Sequence, residues 1–125
     1  MSAAMATRVR GSGRFDLGSI DRIPPGEGQT FLIGEREIAV FRSRDDVIRA
    51  TQARCPHKAG LLADGIVGDG IVICPLHAYK FDLATGTPFG NGCASLRTYR
   101  TEVTADRRIL IWVSDAFDRA WDRGA

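Results

Sequence analysis

Thiols and imidazoles are scarce in this chain: three cysteines and two histidines among 125 residues. A small, odd cysteine count excludes a disulfide framework as the source of stability. Proline is also sparse, at five, and no run of about 18 apolar residues occurs, which excludes a membrane-spanning helix. No charge of one sign dominates. Seventeen basic residues face fifteen acidic ones for a net of +2, so neither a nucleic-acid surface nor an acidic tail is expected. Residues 1–13 carry Arg8 and Arg10 but no apolar stretch, so they read as a flexible tail and not as a secretory signal. What remains is a cytoplasmic, single-domain protein, able at this length to bury roughly two thirds of its unfolded surface.

The middle of the chain is rich in strand and turn signals. Alternating and β-branched runs recur from residue 15 to residue 113, punctuated by many of the fourteen glycines. Thr30–Ile33 and Arg36–Phe41 read as a hairpin around Gly34-Glu35. A polar turn at Ser43–Asp46 precedes a strand over Val47–Gln52. Residues 65–70, Gly-Ile-Val-Gly-Asp-Gly, read as a glycine-punctuated turn into Ile71–Ile73, and Tyr79–Leu83 alternates again. Leu96–Thr104 and Ile109–Val113 read as a closing pair, with Trp112 in the core. The expected fold is all-β, an antiparallel sandwich or barrel over 14–113. Ser114 can cap a short C-terminal helix in residues 114–125, with Phe117 and Trp121 four apart on one face.

Four of the five cysteines and histidines gather in two short clusters. Cys55-Pro56-His57 is followed, after sixteen residues, by Cys74-Pro75-Leu76-His77. These ligand types suit zinc or an iron–sulfur centre. Structural zinc sites usually group like ligands, two cysteines and then two histidines. Here each cluster supplies one of each, which suits a binuclear centre with both thiolates on one iron and both imidazoles on the other. Pro56 and Pro75 fix φ directly after each cysteine. Gly60 and Gly65 are expected to take backbone conformations closed to other residues, so that amides approach the centre. The third cysteine, Cys93, reads as a partly buried small residue.

Cys55-Pro-His57-Lys-Ala-Gly60, Asp64-Gly-Ile-Val-Gly-Asp69 and Cys74-Pro-Leu-His77-Ala-Tyr-Lys-Phe81-Asp-Leu-Ala-Thr-Gly86 together resemble a Rieske [2Fe–2S] domain over about residues 15–113. The resemblance implies one [2Fe–2S] cluster per chain. It implies Cys55 and Cys74 as ligands of one iron and His57 and His77 as ligands of the other. It also implies an electron exit at the two histidines, collared by Ala59, Leu61, Leu62 and Pro88, and no catalytic residue of its own. Replacing two thiolates by imidazoles leaves the oxidised centre neutral, so it accepts an electron more readily than a four-thiolate centre. High-potential respiratory members carry a serine and a tyrosine where this chain has Tyr79 and Phe81. They also carry a disulfide between the positions of Gly60 and Leu76. The departures imply a centre near the low end of the Rieske range, about −150 mV.

Further segments, Gly26-Glu-Gly28, Ile38-Ala-Val-Phe41-Arg and Gly92-Cys93 with Leu96-Arg-Thr-Tyr99, resemble the small subunits of assimilatory NAD(P)H nitrite reductases. That resemblance implies a large catalytic subunit as partner, in a system that reduces nitrite to ammonia. The alternative is a Rieske-type ferredoxin serving a ring-hydroxylating oxygenase and its reductase. A zinc- or cluster-stapled interaction module stands as a third reading. None of the three involves nucleic acid or membrane.

Overall fold

The computed structural model describes residues 4–5 and 7–8 by their backbone, and residues 13–33, 36–56, 60–76, 78–90 and 94–113 in full. Among the described residues thirteen strands form: β1 (Ala4–Met5), β2 (Thr7–Arg8), β3 (Arg14–Ser19), β4 (Glu27–Ile33), β5 (Arg36–Arg42), β6 (Ile48–Gln52), β7 (Ile66–Gly68), β8 (Ile71–Ile73), β9 (Lys80–Asp82), β10 (Pro88–Phe89), β11 (Thr98–Tyr99), β12 (Thr101–Val103) and β13 (Arg108–Trp112). The only helical pieces among the described residues are two 3₁₀ turns, Ile20–Arg22 and Leu62–Asp64. The all-β architecture expected from the alternation is therefore present. The helix expected in 114–125 lies outside the described residues.

The strands make three sheets, in the orders β1-β4-β5-β6-β11, β12-β13-β3-β2 and β10-β9-β8-β7. Among the described residues every pairing is antiparallel except β1 beside β4. Within the expected 1–13 tail, Ala4–Met5 thus lines Phe31–Leu32, and Thr7–Arg8 lines Asp16 and Phe15.

Strand β5 joins two cores. Successive residues of a strand face opposite sides. Ile38 and Val40 enter a core with Phe15, Leu17, Phe31, Ile109 and Ile111, between the first two sheets. Ala39 and Phe41 enter a second core with Cys55, Leu62, Val72, Cys74, Phe81, Leu83 and Leu96, under the third sheet. The apolar run Ile38-Ala-Val-Phe41 is accordingly buried on both faces, not alternating. Gly28 makes room for this. It pairs with Phe41, and a Cβ on it would stand 2.6 Å from the Phe41 ring.

Three readings of the chain change in three dimensions. Ile66–Gly68 is strand β7 and not part of a turn; the turn is Asp69-Gly70 alone, both with positive φ (53° and 74°), as a primed two-residue hairpin requires. Leu96–Thr104 is not one strand. It splits at Arg100, so that Thr98–Tyr99 extends the β6 edge while Thr101–Val103 pairs with β13 in another sheet. Trp112 is half-buried and belongs to neither core, contrary to the expectation that it is a core residue. Its ring carries the Arg100 guanidinium 4.4 Å from the centroid, beside the backbone bond from Trp112 N–H to the Arg100 carbonyl.

Arg42, at the end of β5, is a buried cation that ties the frame together. Its Nη1 donates to the carbonyls of Ile23 (2.9 Å) and Ile20 (3.3 Å), and its Nε to Asp46 Oδ1 (2.8 Å). The hydrogen bond from Arg42 holds the Asp46 carboxyl below its ordinary range. Replacement by Leu takes the donor from the buried Ile23 carbonyl, leaves the Ile20 carbonyl only the Ile23 N–H (3.1 Å), and removes the cation that faces Asp46. We expect Arg42→Leu to lower unfolding stability by about 3 kcal/mol, read as a shifted denaturant midpoint with unchanged m. A loss below about 1 kcal/mol would show that water replaces the guanidinium.

Candidate metal centre

Both cysteine clusters sit in hairpin loops, and the loops are closed in the same way. In the first loop, Cys55 N–H donates to the Gly60 carbonyl (2.9 Å), just inside the Arg54–Leu61 bridge, and Leu62 N–H donates to Ala53 (2.9 Å). In the second, between β8 and β9, Cys74 N–H donates to the Tyr79 carbonyl (2.8 Å). Each cysteine therefore bonds the carbonyl five residues ahead. The second loop is tightened further by Ala78, whose N–H reaches the Cys74 carbonyl (3.0 Å) and whose φ is +58°. Pro56, Pro75 and Leu76 lie exposed in the loops.

The thiols themselves point inward. Cys55 and Cys74 are each 2% exposed, belong to one apolar cluster, and neither is in a disulfide. The loops touch where Gly60 meets the second loop: a Cβ on Gly60 would lie 2.9 Å from the Leu76 side chain and 3.6 Å from Cys74 Sγ. Neither Gly60 nor Gly65 has a positive φ. These glycines are needed for close approach, since a Cβ on Gly65 would sit 2.0 Å from the Ile73 carbonyl oxygen. The conformational role expected of them is thus corrected to a spatial one. Gly60 and Leu76, the positions the resemblance identifies with a disulfide, here hold the loops together by van der Waals contact.

His57, His77, Ala59 and Cys93 lie outside the described residues. Of the remaining expected collar, Leu62 is fully buried in the second core, while Leu61 and Pro88 are half-buried. Two buried thiols on adjoining loops form a soft donor pair that fits an iron–sulfur cluster. A hydrogen-bonded brace holds the first loop. Gln52 Nε2 donates to the Arg54 carbonyl (2.8 Å), directly before Cys55, and Gln52 Oε1 accepts from Arg97 N–H (2.7 Å). Arg54 also forks onto Glu37 (2.9 and 3.3 Å), and that hydrogen bond and charge raise the guanidinium above its ordinary pKa. Gln52 was not among the residues singled out in the sequence; its spacing from Arg97 carries no local signal.

A family model described as the Rieske [2Fe-2S] domain matches residues 13–100. The chain belongs to the Rieske [2Fe–2S] domain family. This Rieske domain is 40% identical over 72 residues to the anthranilate 1,2-dioxygenase ferredoxin subunit of Burkholderia cepacia, covering 58% of the chain and 66% of that subunit. The oxygenase component of dicamba O-demethylase from Stenotrophomonas maltophilia is 35% identical over 103 residues, covering 78% of the chain. The match spans 30% of that component, so both relatives are matched over less than two thirds of their length. Among solved structures, the ferredoxin of carbazole 1,9a-dioxygenase from Nocardioides aromaticivorans IC177 superposes with TM-score 0.74 at 27% identity, over 82% of this chain and 100% of that one. A putative NADH-dependent nitrite reductase small subunit from Mycobacterium tuberculosis gives TM-score 0.74 at 26% identity, over 81% and 96%.

The brace generates a local prediction. Gln52→Leu removes both side-chain hydrogen bonds, and we expect amide exchange at Cys55 and Leu62 to accelerate by about tenfold while β5 amides are unaffected. Unchanged exchange at Cys55 would show that Gln52 does not hold the loop.

Proposed function

We propose that Cys55, His57, Cys74 and His77 hold one [2Fe–2S] cluster, thiolates on one iron and imidazoles on the other, and that the chain passes single electrons to a larger redox protein. The observation that carries this reading is the pair of buried thiols on two identically closed loops in contact at Gly60 and Leu76. When bound, the cluster supplies a one-electron couple. The chain's own residues position and shield it. Leu62, Phe81 and Leu96 wall the thiols from water on the core side. Pro75 and Leu76, the latter 51% exposed, leave the loop end open to a partner. Phe81 is fully buried and has no hydroxyl to donate to a sulfur, which supports a low Rieske potential, about −150 mV.

The recipient we favour is the large subunit of an assimilatory NAD(P)H nitrite reductase, in the cytoplasm. Gly28 and Leu96–Tyr99, two of the segments shared with such small subunits, frame the site: Gly28 under Phe41, and Thr98–Tyr99 on the edge of β6. The mycobacterial small subunit and the carbazole dioxygenase ferredoxin superpose with the same TM-score, 0.74, which supports electron transfer without favouring one recipient. The second reading, a ferredoxin for a ring-hydroxylating oxygenase, is supported by the 40% identity to the anthranilate dioxygenase ferredoxin subunit.

Two measurements test these levels separately. Anaerobic reconstitution with iron and sulfide is expected to give a Rieske-type EPR signal on dithionite reduction, abolished in His77→Ala and Cys74→Ser. A colourless protein holding stoichiometric zinc would overturn electron transfer altogether. Deletion of the gene is expected to abolish growth on nitrite as sole nitrogen source. Normal growth on nitrite, with loss of growth on an aromatic carbon source, would instead establish the oxygenase role.

A further inference from the structure

Four residues other than glycine have a positive φ among the described residues: Asp46 (68°), Asp69 (53°), Ala78 (58°) and Arg107 (65°). An aspartate visits this left-handed region readily, because its short polar side chain bonds locally. Arg107 sits in the turn before β13 and pairs with Asp21 (3.6 Å) and Asp46 (3.5 Å). Ala78 has neither device. Its side chain is one exposed methyl, which makes no bond to offset the strain. Its backbone is what keeps it there. The Ala78 N–H donates to the Cys74 carbonyl (3.0 Å), while the Cys74 N–H donates to the Tyr79 carbonyl (2.8 Å). The strain is therefore stored in the ring of backbone that carries Cys74.

The first loop is built differently. Its described residues, Cys55, Pro56, Gly60 and Leu61, include none with a positive φ. It leaves β6, a strand of five residues held between β5 and β11, and its return runs into the Leu62–Asp64 turn, where Leu62 is fully buried. Gln52 adds a side-chain bond to the Arg54 carbonyl (2.8 Å). The second loop joins β8 and β9, of three residues each, and their outer neighbours β7 and β10 have only three and two. Local opening starts where ladder bonds are few and strain is stored.

We infer that the second loop is the half of the site that opens, and that the left-handed backbone of Ala78 sets how often it does, so that iron and sulfide are gained and lost on that side. Ala78 is a positioning residue on this account, acting through Cys74. The inference about gain and loss rests on the cluster-binding reading above. The strain does not, since the apo chain carries it too.

The test has two readouts on one series of variants. In the apo chain, amide exchange at Cys74 is expected to be faster than at Cys55. Ala78→Gly and Ala78→Asn, both at ease with positive φ, should slow the Cys74 amide by about threefold, and Ala78→Val should speed it by about fivefold. Asn adds no chain flexibility, so it separates relief of strain from the freedom of glycine. Cys55 and the β5 amides should stay as in the parent, which shows that each variant is folded. In the reconstituted holoprotein, the half-time of bleaching by an iron chelator is expected to follow the same order, longer in the Gly and Asn variants and shorter in the Val variant. A Cys74 amide that is no slower in Ala78→Asn, or no faster in Ala78→Val, would overturn the role of Ala78. Exchange that moves as expected while bleaching does not would overturn the second loop as the way in and out. A parent chain and variants that take up no iron–sulfur cluster would overturn the cluster-binding reading, and the exchange series would still decide the strain.

Discussion

Strand β5 is the constraint on which the rest of this domain depends. An antiparallel strand usually buries one face and leaves the other to water. Here Ile38 and Val40 are committed to the main sandwich while Ala39 and Phe41 are committed to the core beneath the cysteine loops. One strand of seven residues therefore links the packing of the frame to the packing of the site. Phe41 reaches the second core because Gly28 opposite it has no side chain. Arg42 then closes the strand by binding the carbonyls of Ile20 and Ile23. A disturbance of the sandwich is transmitted to the cysteines through that strand, since close-packed interiors pass strain on.

The two cysteine loops solve one geometric problem twice. Each must turn a chain through a few residues while keeping a thiol inside. Each does so with a proline after the cysteine and a backbone bond from the cysteine N–H to the fifth residue on. The loops differ in what completes them. The first relies on Gln52, a side chain from the preceding strand, whereas the second relies on Ala78 in a left-handed conformation that costs an alanine about 1–3 kcal/mol. The surrounding hairpin β8–β9 holds Ala78 there. Between the loops, Leu76 lies against the bare backbone of Gly60, an apolar contact that needs no oxidation to form.

The supporting frame shows how a short chain builds three sheets. At Arg100 the chain leaves the edge of β6 and joins β13, so one extended segment serves two sheets. Its guanidinium covers the Trp112 ring on the outer face, and the Thr101 hydroxyl donates to the Ile48 carbonyl (3.0 Å). The corner is thus held from both sides. The third sheet is joined differently. It follows β6 through the first cysteine loop and the Leu62–Asp64 turn, which packs against β4 and β5, so the site is assembled between sheets and not on one of them.

The sequence by itself determined what depends on neighbours along the chain. The two Cys-x-His and Cys-x-x-His clusters, the strands Arg36–Arg42 and Ile71–Ile73, and the hairpin pairing of Ile33 with Arg36 all follow from local spacing, side-chain branching and turn chemistry. The ligand types alone suit zinc as well; it was their grouping, one cysteine and one histidine in each cluster, that pointed to an iron–sulfur centre. Only the tertiary structure decided what depends on contact between distant segments. It showed that β5 is buried on both faces, that Leu96–Thr104 divides between sheets, and that Gly60 and Gly65 are required by crowding and not by φ. It also showed Gln52 reaching Arg97, forty-five residues away, and Ile66, Ile73, Lys80 and Phe89 lining up across four strands. Periodicity reports which residues share a face of one strand. It carries no information on which other strand lies beside it, or on whether anything covers the face that results.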